Sequence, residues 1–134
     1  MKIRIVAIGK IKENSIRESV EEYLKRLGKK VEIIELKDES LEKEATRLEK
    51  YIDDNTFVLD VEGKEMSSKE FSELFDKDIT FLIGGAYGIS DTVKNKCKTI
   101  SLSKMTFTHE MCRLFLLEQI YRADMIRNNR KYHK

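Results

Sequence analysis

One feature dominates this 134-residue chain: short β-branched runs alternate with longer amphipathic stretches from end to end. Ile3–Ile8 is such a run, stopped by Gly9, and it predicts a strand. Asn14–Leu27 then places Ile16, Val20, Tyr23, Leu24 and Leu27 on one helical face, with Gly28 as the stop. The alternation continues with strands at Val31–Leu36, Thr56–Val61, Ile79–Ile83 and Thr99–Leu102. Between and after them lie helices at Leu41–Ile52, Ser67–Phe75, a short one near Asp91–Lys96, and a long one at His109–Arg127. Ser67 with Glu70 three residues on is a capping pattern. Ile79–Ile83 is the most apolar strand and is expected at the centre. Strands that alternate with helices in this way predict an α/β fold, a parallel sheet with helices on both faces. The length suits one domain over residues 1–134.

Composition narrows the function classes. Hydrophobic residues make up 40% and charged residues 37%, which excludes a disordered or membrane-embedded chain. No apolar run approaches the ~20 residues of a membrane span, and the N-terminus has the pattern of a strand rather than a signal peptide. A cytoplasmic location is expected. The 26 basic and 24 acidic residues nearly cancel, so a basic surface must come from local segregation. Cys97 and Cys112 have neither metal-ligand spacing nor a disulfide framework, and no metal is predicted.

In parallel sheets, ligands bind outside the carboxyl ends of the strands. Two loops there stand out, Gly84–Ser90 and Ser103–Thr108. The first is GGAYGIS, which is either a plain strand-to-helix turn or a place where a ligand touches backbone closely. The dinucleotide fingerprint is absent, because the first strand-to-helix turn holds the single glycine of Ile8-Gly9-Lys10. The phosphate-binding Gly-Lys-Ser/Thr pattern is also absent. Neither NAD nor ATP is indicated.

The last third is the most specific part. Thr106 or Thr108 can cap the long helix. Leu114, Leu117 and Ile120 are explained by packing, and Glu118 with Arg122 by a surface ion pair in the favourable order. Packing explains less well Arg113, Gln119 and Arg122 on the same helix. The closing residues crowd Arg127, Arg130, Lys131, His133 and Lys134 together, a tail that is either solvated or able to reach phosphates.

With these residues in view, the sequence resembles the RlmH-type ribosomal RNA methyltransferases of the SPOUT superfamily. The resemblance spans nearly the whole chain: Gly9-Lys10, YLKRL at Tyr23–Leu27, EIIEL, LDVEGKEMSS at Leu59–Ser68, and FLIGG. LSKMT at Leu102–Thr106, His109, LLEQIYRA at Leu116–Ala123 and the terminal Tyr132-His133-Lys134 carry it most specifically. The resemblance implies a trefoil knot in the C-terminal part and a homodimer in which one subunit's tail can serve the other's cofactor. It implies methyl transfer from S-adenosylmethionine to N3 of a pseudouridine of 23S rRNA in the ribosome. By matching position, the cofactor would meet Leu59, Gly84, Leu102, Ser103, Lys104, Met105, Thr106 and Phe107. His133 would be the general base, Tyr132 would stack on or bond the nucleobase, and Arg122 would stabilise the imidate or bind phosphate. His109 is a second candidate for the base. Two departures are visible. Thr108 stands where the family usually has proline, and Asn129, Arg130 and Lys131 replace a Gly-x-Pro that pre-sets the turn before Tyr132. A binding module that keeps the fold without the chemistry is the alternative, and a small-molecule methyltransferase a third reading.

Overall fold

The computed structural model describes residues 1–134, with five strands and five helices. The strands are β1 (Ile3–Ile8), β2 (Val31–Leu36), β3 (Thr56–Glu65), β4 (Ile79–Ile83) and β5 (Lys98–Ser101). The helices are α1 (Asn14–Leu27), α2 (Leu41–Glu49), α3 (Ser68–Ser72), α4 (Asp91–Lys94) and α5 (His109–Arg127), with one 3-10 turn at Gly28–Lys30. All strand pairs are parallel, in the order β2-β1-β4-β3-β5. β4 is the central strand and all five of its residues are buried, as its unbroken apolar run predicts.

Side chains alternate across the sheet and so divide the core in two. Ile3, Ile5 and Ala7 of β1 join Phe57, Phe81 and Ile83 under α1, α3 and α5. Val6, Ile8, Val58 and Leu82 face the other way, toward Ala45 and Leu48 of α2 and Val93 of α4. The expected helices on both faces are therefore present. Phe71, Phe75 and Phe81 pack with centroids 5.0–6.0 Å apart and anchor short α3 to the sheet. Ser67 starts that helix through a complete capping box with Glu70.

Several boundaries differ from the sequence reading: α3 ends at Ser72 rather than Phe75, α4 ends at Lys94, and β5 is Lys98–Ser101 rather than Thr99–Leu102, while β3 and α2 differ as follows. β3 does not stop at Val61 but runs to Glu65 across a register shift between Leu59 and Lys64. Gly63 is not a terminator. A Cβ there would lie 2.6 Å from the backbone nitrogen of Ile100, so glycine lets β3 pass directly against β5. α2 ends at Glu49, and Lys50 to Ile52 continue only as a turn.

Two buried charges on α5 tie it to the start of the chain. Arg113, 1% exposed, donates to the Glu35 carboxylate and to the Gly9 carbonyl at 3.1 Å. Glu110, 9% exposed, accepts from the backbone N–H groups of Lys12 (3.2 Å) and Glu13 (3.1 Å) at the entry to α1. Burial acts to raise the Glu110 pKa, but those N–H groups, His109 and Arg113 outweigh it and hold the carboxyl below the usual range. A carboxylate depressed on folding stabilises the protein above its unfolded pKa, about 4.3, and that stability is lost as pH falls through the folded value. Glu110→Gln is therefore expected to cost about 1 kcal/mol at pH 7. The gap between the two melting temperatures should narrow as the pH is taken from 7 toward 3. A gap that stays constant would show that the charge of Glu110 contributes nothing.

Candidate active site

A cavity of about 610 Å³ opens at the carboxyl ends of β4 and β5, beside the middle of β3. Its walls include Leu59–Val61 of β3, the glycine loop after β4, and the stretch from Ser101 to Thr108 after β5. Seven of the eight residues expected at a cofactor line it: Leu59, Gly84, Leu102, Ser103, Met105, Thr106 and Phe107. Lys104 does not. Its side chain is 86% exposed and lies 3.7 Å from Glu65, outside the cavity.

The loops are held in shape by local bonds. Gly88 N–H donates to the Gly85 carbonyl at 3.0 Å and closes a tight turn with Gly88 at φ 73°. Ser101 Oγ donates to the Ser103 carbonyl at 2.7 Å, and Met105 N–H donates to Ser103 Oγ at 3.0 Å. Thr108, where a proline was expected, caps α5 instead, accepting from Met111 N–H at 3.2 Å. Thr108 and His109 thus bring the N-terminus of α5 to the cavity wall. Cys112 also lines the cavity, and burial pushes its thiol up, away from a reactive thiolate. Burial does the same to Cys97.

The size and lining suit a small organic ligand. Small-molecule sites typically enclose about 300–1,000 Å³ and are mostly apolar with a few polar groups. Here Leu59, Ile83, Leu102 and Phe107 form apolar wall, and Asp60, in an ion pair with Lys94 at 3.3 Å, adds a carboxylate at the rim.

The three tail-centred residues form a second cluster. Asn129, in the left-handed conformation at φ 54°, supplies the turn that a glycine would give. Arg130 N–H then donates back to the Met125 carbonyl at 2.8 Å, and the tail folds onto the side of α5. Tyr132 packs edge-on to Tyr121 at 4.8 Å, with the Arg122 guanidinium 4.9 Å over its ring. Its hydroxyl donates to Glu118 Oε2 at 2.9 Å. Arg122 donates to both oxygens of Glu118, at 3.3 and 3.1 Å, and its NH1 meets His133 Nδ1 at 3.0 Å. Burial, then hydrogen bonds with Tyr23 and Glu118, push the Tyr132 phenol far above its ordinary range, so it is a donor and never a base here. A guanidinium only donates, so His133 accepts at Nδ1 and carries its proton on Nε2.

Glu118 is thus the hub of the cluster, although its spacing from Arg122 alone predicts no more than an ion pair. None of Arg122, Tyr132 and His133 lines the cavity of its own chain.

A family profile described as "Predicted SPOUT methyltransferase" matches residues 1–133. The chain is 39% identical to ribosomal RNA large subunit methyltransferase H of Acholeplasma laidlawii, covering all of both chains. It is 42% identical to the protein of that name from Clostridium botulinum, again over the full length of both. Among solved structures it resembles a probable methylase from Haemophilus influenzae, with a TM-score of 0.60 at 13% identity, covering 98% of this chain and 70% of that one. It also resembles TrmJ from Z. mobilis, with a TM-score of 0.56 at 7% identity, over 92% and 70% of the two chains. These last two likenesses concern the fold.

Proposed function

The chain belongs to the SPOUT methyltransferase family, and on that premise we propose that it transfers a methyl group from S-adenosylmethionine to N3 of a pseudouridine in 23S rRNA of the large ribosomal subunit. The observation that carries the reading is the pairing of one apolar cavity at the strand ends with a separate cluster of Arg122, Tyr132 and His133. The cavity suits the methyl donor and the cluster suits an imide base. The full-length likeness to proteins named as methyltransferases of the large-subunit RNA supports the same substrate. A chain with that substrate works in the cytoplasm, and no helix here is long and apolar enough to cross a membrane.

When bound, S-adenosylmethionine supplies an electrophilic methyl on a sulfonium. The protein's part is to position and to move a proton. N3 of the base is an imide N–H, about two pKa units above neutral, so exposing its lone pair costs about 3 kcal/mol. His133 takes that proton and Arg122 stabilises the negative charge that develops across the imide. Leu59, Gly84 and the cavity-lining residues from Leu102 to Phe107 would hold the methyl donor, which would supply the methyl group that replaces the proton on N3.

The functional unit in this reading is a homodimer. Met111, Leu114 and Met125 form a partly exposed apolar stripe along the outer side of α5, which a second copy would cover. Since the tail cluster misses the cavity of its own chain, each tail then serves the partner's cavity. The trefoil knot belongs to the same reading, with α5 leaving through the loops that line the cavity.

The test is to incubate the protein with labelled S-adenosylmethionine and ribosomes lacking the modification, then map the label. Label on the stem-loop pseudouridine is expected, together with a light-scattering mass twice that of the 15.8 kDa chain. Cofactor binding without any label would favour an RNA-binding module, and a clean monomer at micromolar concentration would remove the shared site.

A further inference from the structure

A smaller cleft of about 330 Å³ lies between α3 and α5. Ser101, Leu102 and Phe107 line both it and the cofactor cavity, so the two adjoin along these residues. Its other walls include Met66, Phe71 and Phe115, with Phe107 and Phe115 edge to face at 5.0 Å. Its polar groups are Glu118 and Gln119 at one side, with Ser67, Ser68 and Ser101. The cleft therefore has aromatic walls, room for one flat heterocycle and a polar edge. Glu118 makes it continuous with the tail cluster, since the same carboxylate accepts the Tyr132 hydroxyl.

The amide of Gln119 has a fixed orientation. Ser68 Oγ donates to its Oε1 at 2.6 Å, and its Nε2 donates to Glu118 Oε1 at 2.9 Å. A carboxylate can only accept, so Nε2 must be the atom that faces Glu118, which leaves no freedom to flip. Each amide atom then keeps one unused site: a second N–H on Nε2 and a second lone pair on Oε1. An N–H donor beside a C=O acceptor is the complement of one edge of a pyrimidine that itself offers C=O beside N–H. Pseudouridine has two such edges. One contains N3, where the methyl goes. The other is N1–H beside C2=O, and uridine lacks it because its N1 carries the ribose.

We infer that this cleft holds the target base and that Gln119 reads the N1–H/C2=O edge of pseudouridine, leaving N3 free for His133. The inference rests on the function proposed above and adds the residue that sets the choice of base. Glu118 and Ser68 hold the reading group in register, and Phe107 and Phe115 supply the apolar walls on which a base can stack. A bidentate pair of this kind discriminates between bases by roughly 10- to 100-fold in rate, the equivalent of about 1–3 kcal/mol.

The experiment compares wild type with Gln119→Leu and Gln119→Ala on two ribosome preparations, one with pseudouridine at the target and one with uridine there. Affinity for S-adenosylmethionine and melting temperature are measured alongside. Wild type should favour the pseudouridine ribosomes by at least 10-fold in kcat/KM. In the variants, kcat/KM on pseudouridine should fall about 30-fold, the rate on uridine should change by less than about 3-fold, and cofactor affinity should be unchanged. The ratio of the two substrates therefore moves toward one, which loss of packing alone would not achieve. An equal fall on both substrates, or no fall on either, overturns the role of Gln119. Wild-type protein inactive on both preparations overturns the proposed function and this inference with it.

Discussion

His133→Ala is expected to lower kcat for methyl transfer by about 100-fold or more while leaving the affinity for S-adenosylmethionine unchanged. The two halves of that expectation come from separate places in the molecule. His133 is exposed at the end of the tail and does not line the cavity of its own chain; in the proposed mechanism it acts on the target base and does not hold the cofactor. Its Nδ1 meets Arg122, which Glu118 holds from the other side. The proton of the target imide has to leave before or as the new bond forms, and without the imidazole it must leave to water. The kcat of the variant should then rise about tenfold per pH unit up to the imide's own pKa, about two units above neutral, where wild type is already flat. The measurement is single-turnover transfer at several pH values, beside a cofactor titration. Full activity at pH 7 would remove His133 from the mechanism and direct attention to His109, which lines the cavity. The Arg122 contact adds a condition. A proton accepted at Nδ1 must displace the guanidinium, so Arg122 turns from His133 toward the base as the reaction proceeds.

How much of this was legible in the residues differs by element, for physical reasons. β1, β2, β4, α1 and α5 have the bounds that their apolar runs and stop residues predict, because each is decided locally. The polar stretch Glu62–Glu65 reads as a turn by composition, yet it is strand, since pairing with β5 supplies what its own propensity lacks. Strand order was beyond reach for the same reason: β1 joins β4 across more than seventy residues. Seven of the eight residues expected at a cofactor meet at one cavity, and the eighth, Lys104, lies outside it, since a match in sequence says nothing about which way a side chain turns. The course of the tail was not legible from the loss of a Gly-x-Pro. Asn129 restores the left-handed turn at φ 54°, as asparagine tolerates that conformation better than most residues. Glu118 looked like an ordinary surface pair. Its bonds to Arg122 and Gln119 are local to α5, but its place as acceptor for Tyr132 exists only once the tail has folded back.

Gly84→Ala should damage the donor side as severely as His133→Ala damages the acceptor side, and through affinity rather than turnover. A Cβ at position 84 would lie 2.5 Å from the Gly88 carbonyl oxygen, 2.6 Å from its carbon and 2.8 Å from Ile89 Cγ1. Two of those three atoms are backbone, held by the Gly85–Gly88 turn, and cannot step aside as the end of a side chain can. The loop must open, and Gly84, Gly85, Gly88 and Ile89 all line the cavity. A rise in Kd for S-adenosylmethionine of at least tenfold is expected, about 1.4 kcal/mol, with a loss of stability of about 1–3 kcal/mol from the overpacked turn. Gly85→Ala is the comparison. Its Cβ would meet side chains only, Ile8 of β1 at 3.0 and 3.5 Å and Asp38 Oδ1 at an ordinary 3.9 Å, and the Ile8 methyl need give way by only a few tenths of an ångström. Calorimetric titration of both variants should therefore show a large loss at 84 and a small one at 85. Equal losses would mean that any change in the loop disturbs the cavity, and wild-type affinity at 84 would mean that the glycine turn does not hold the cofactor.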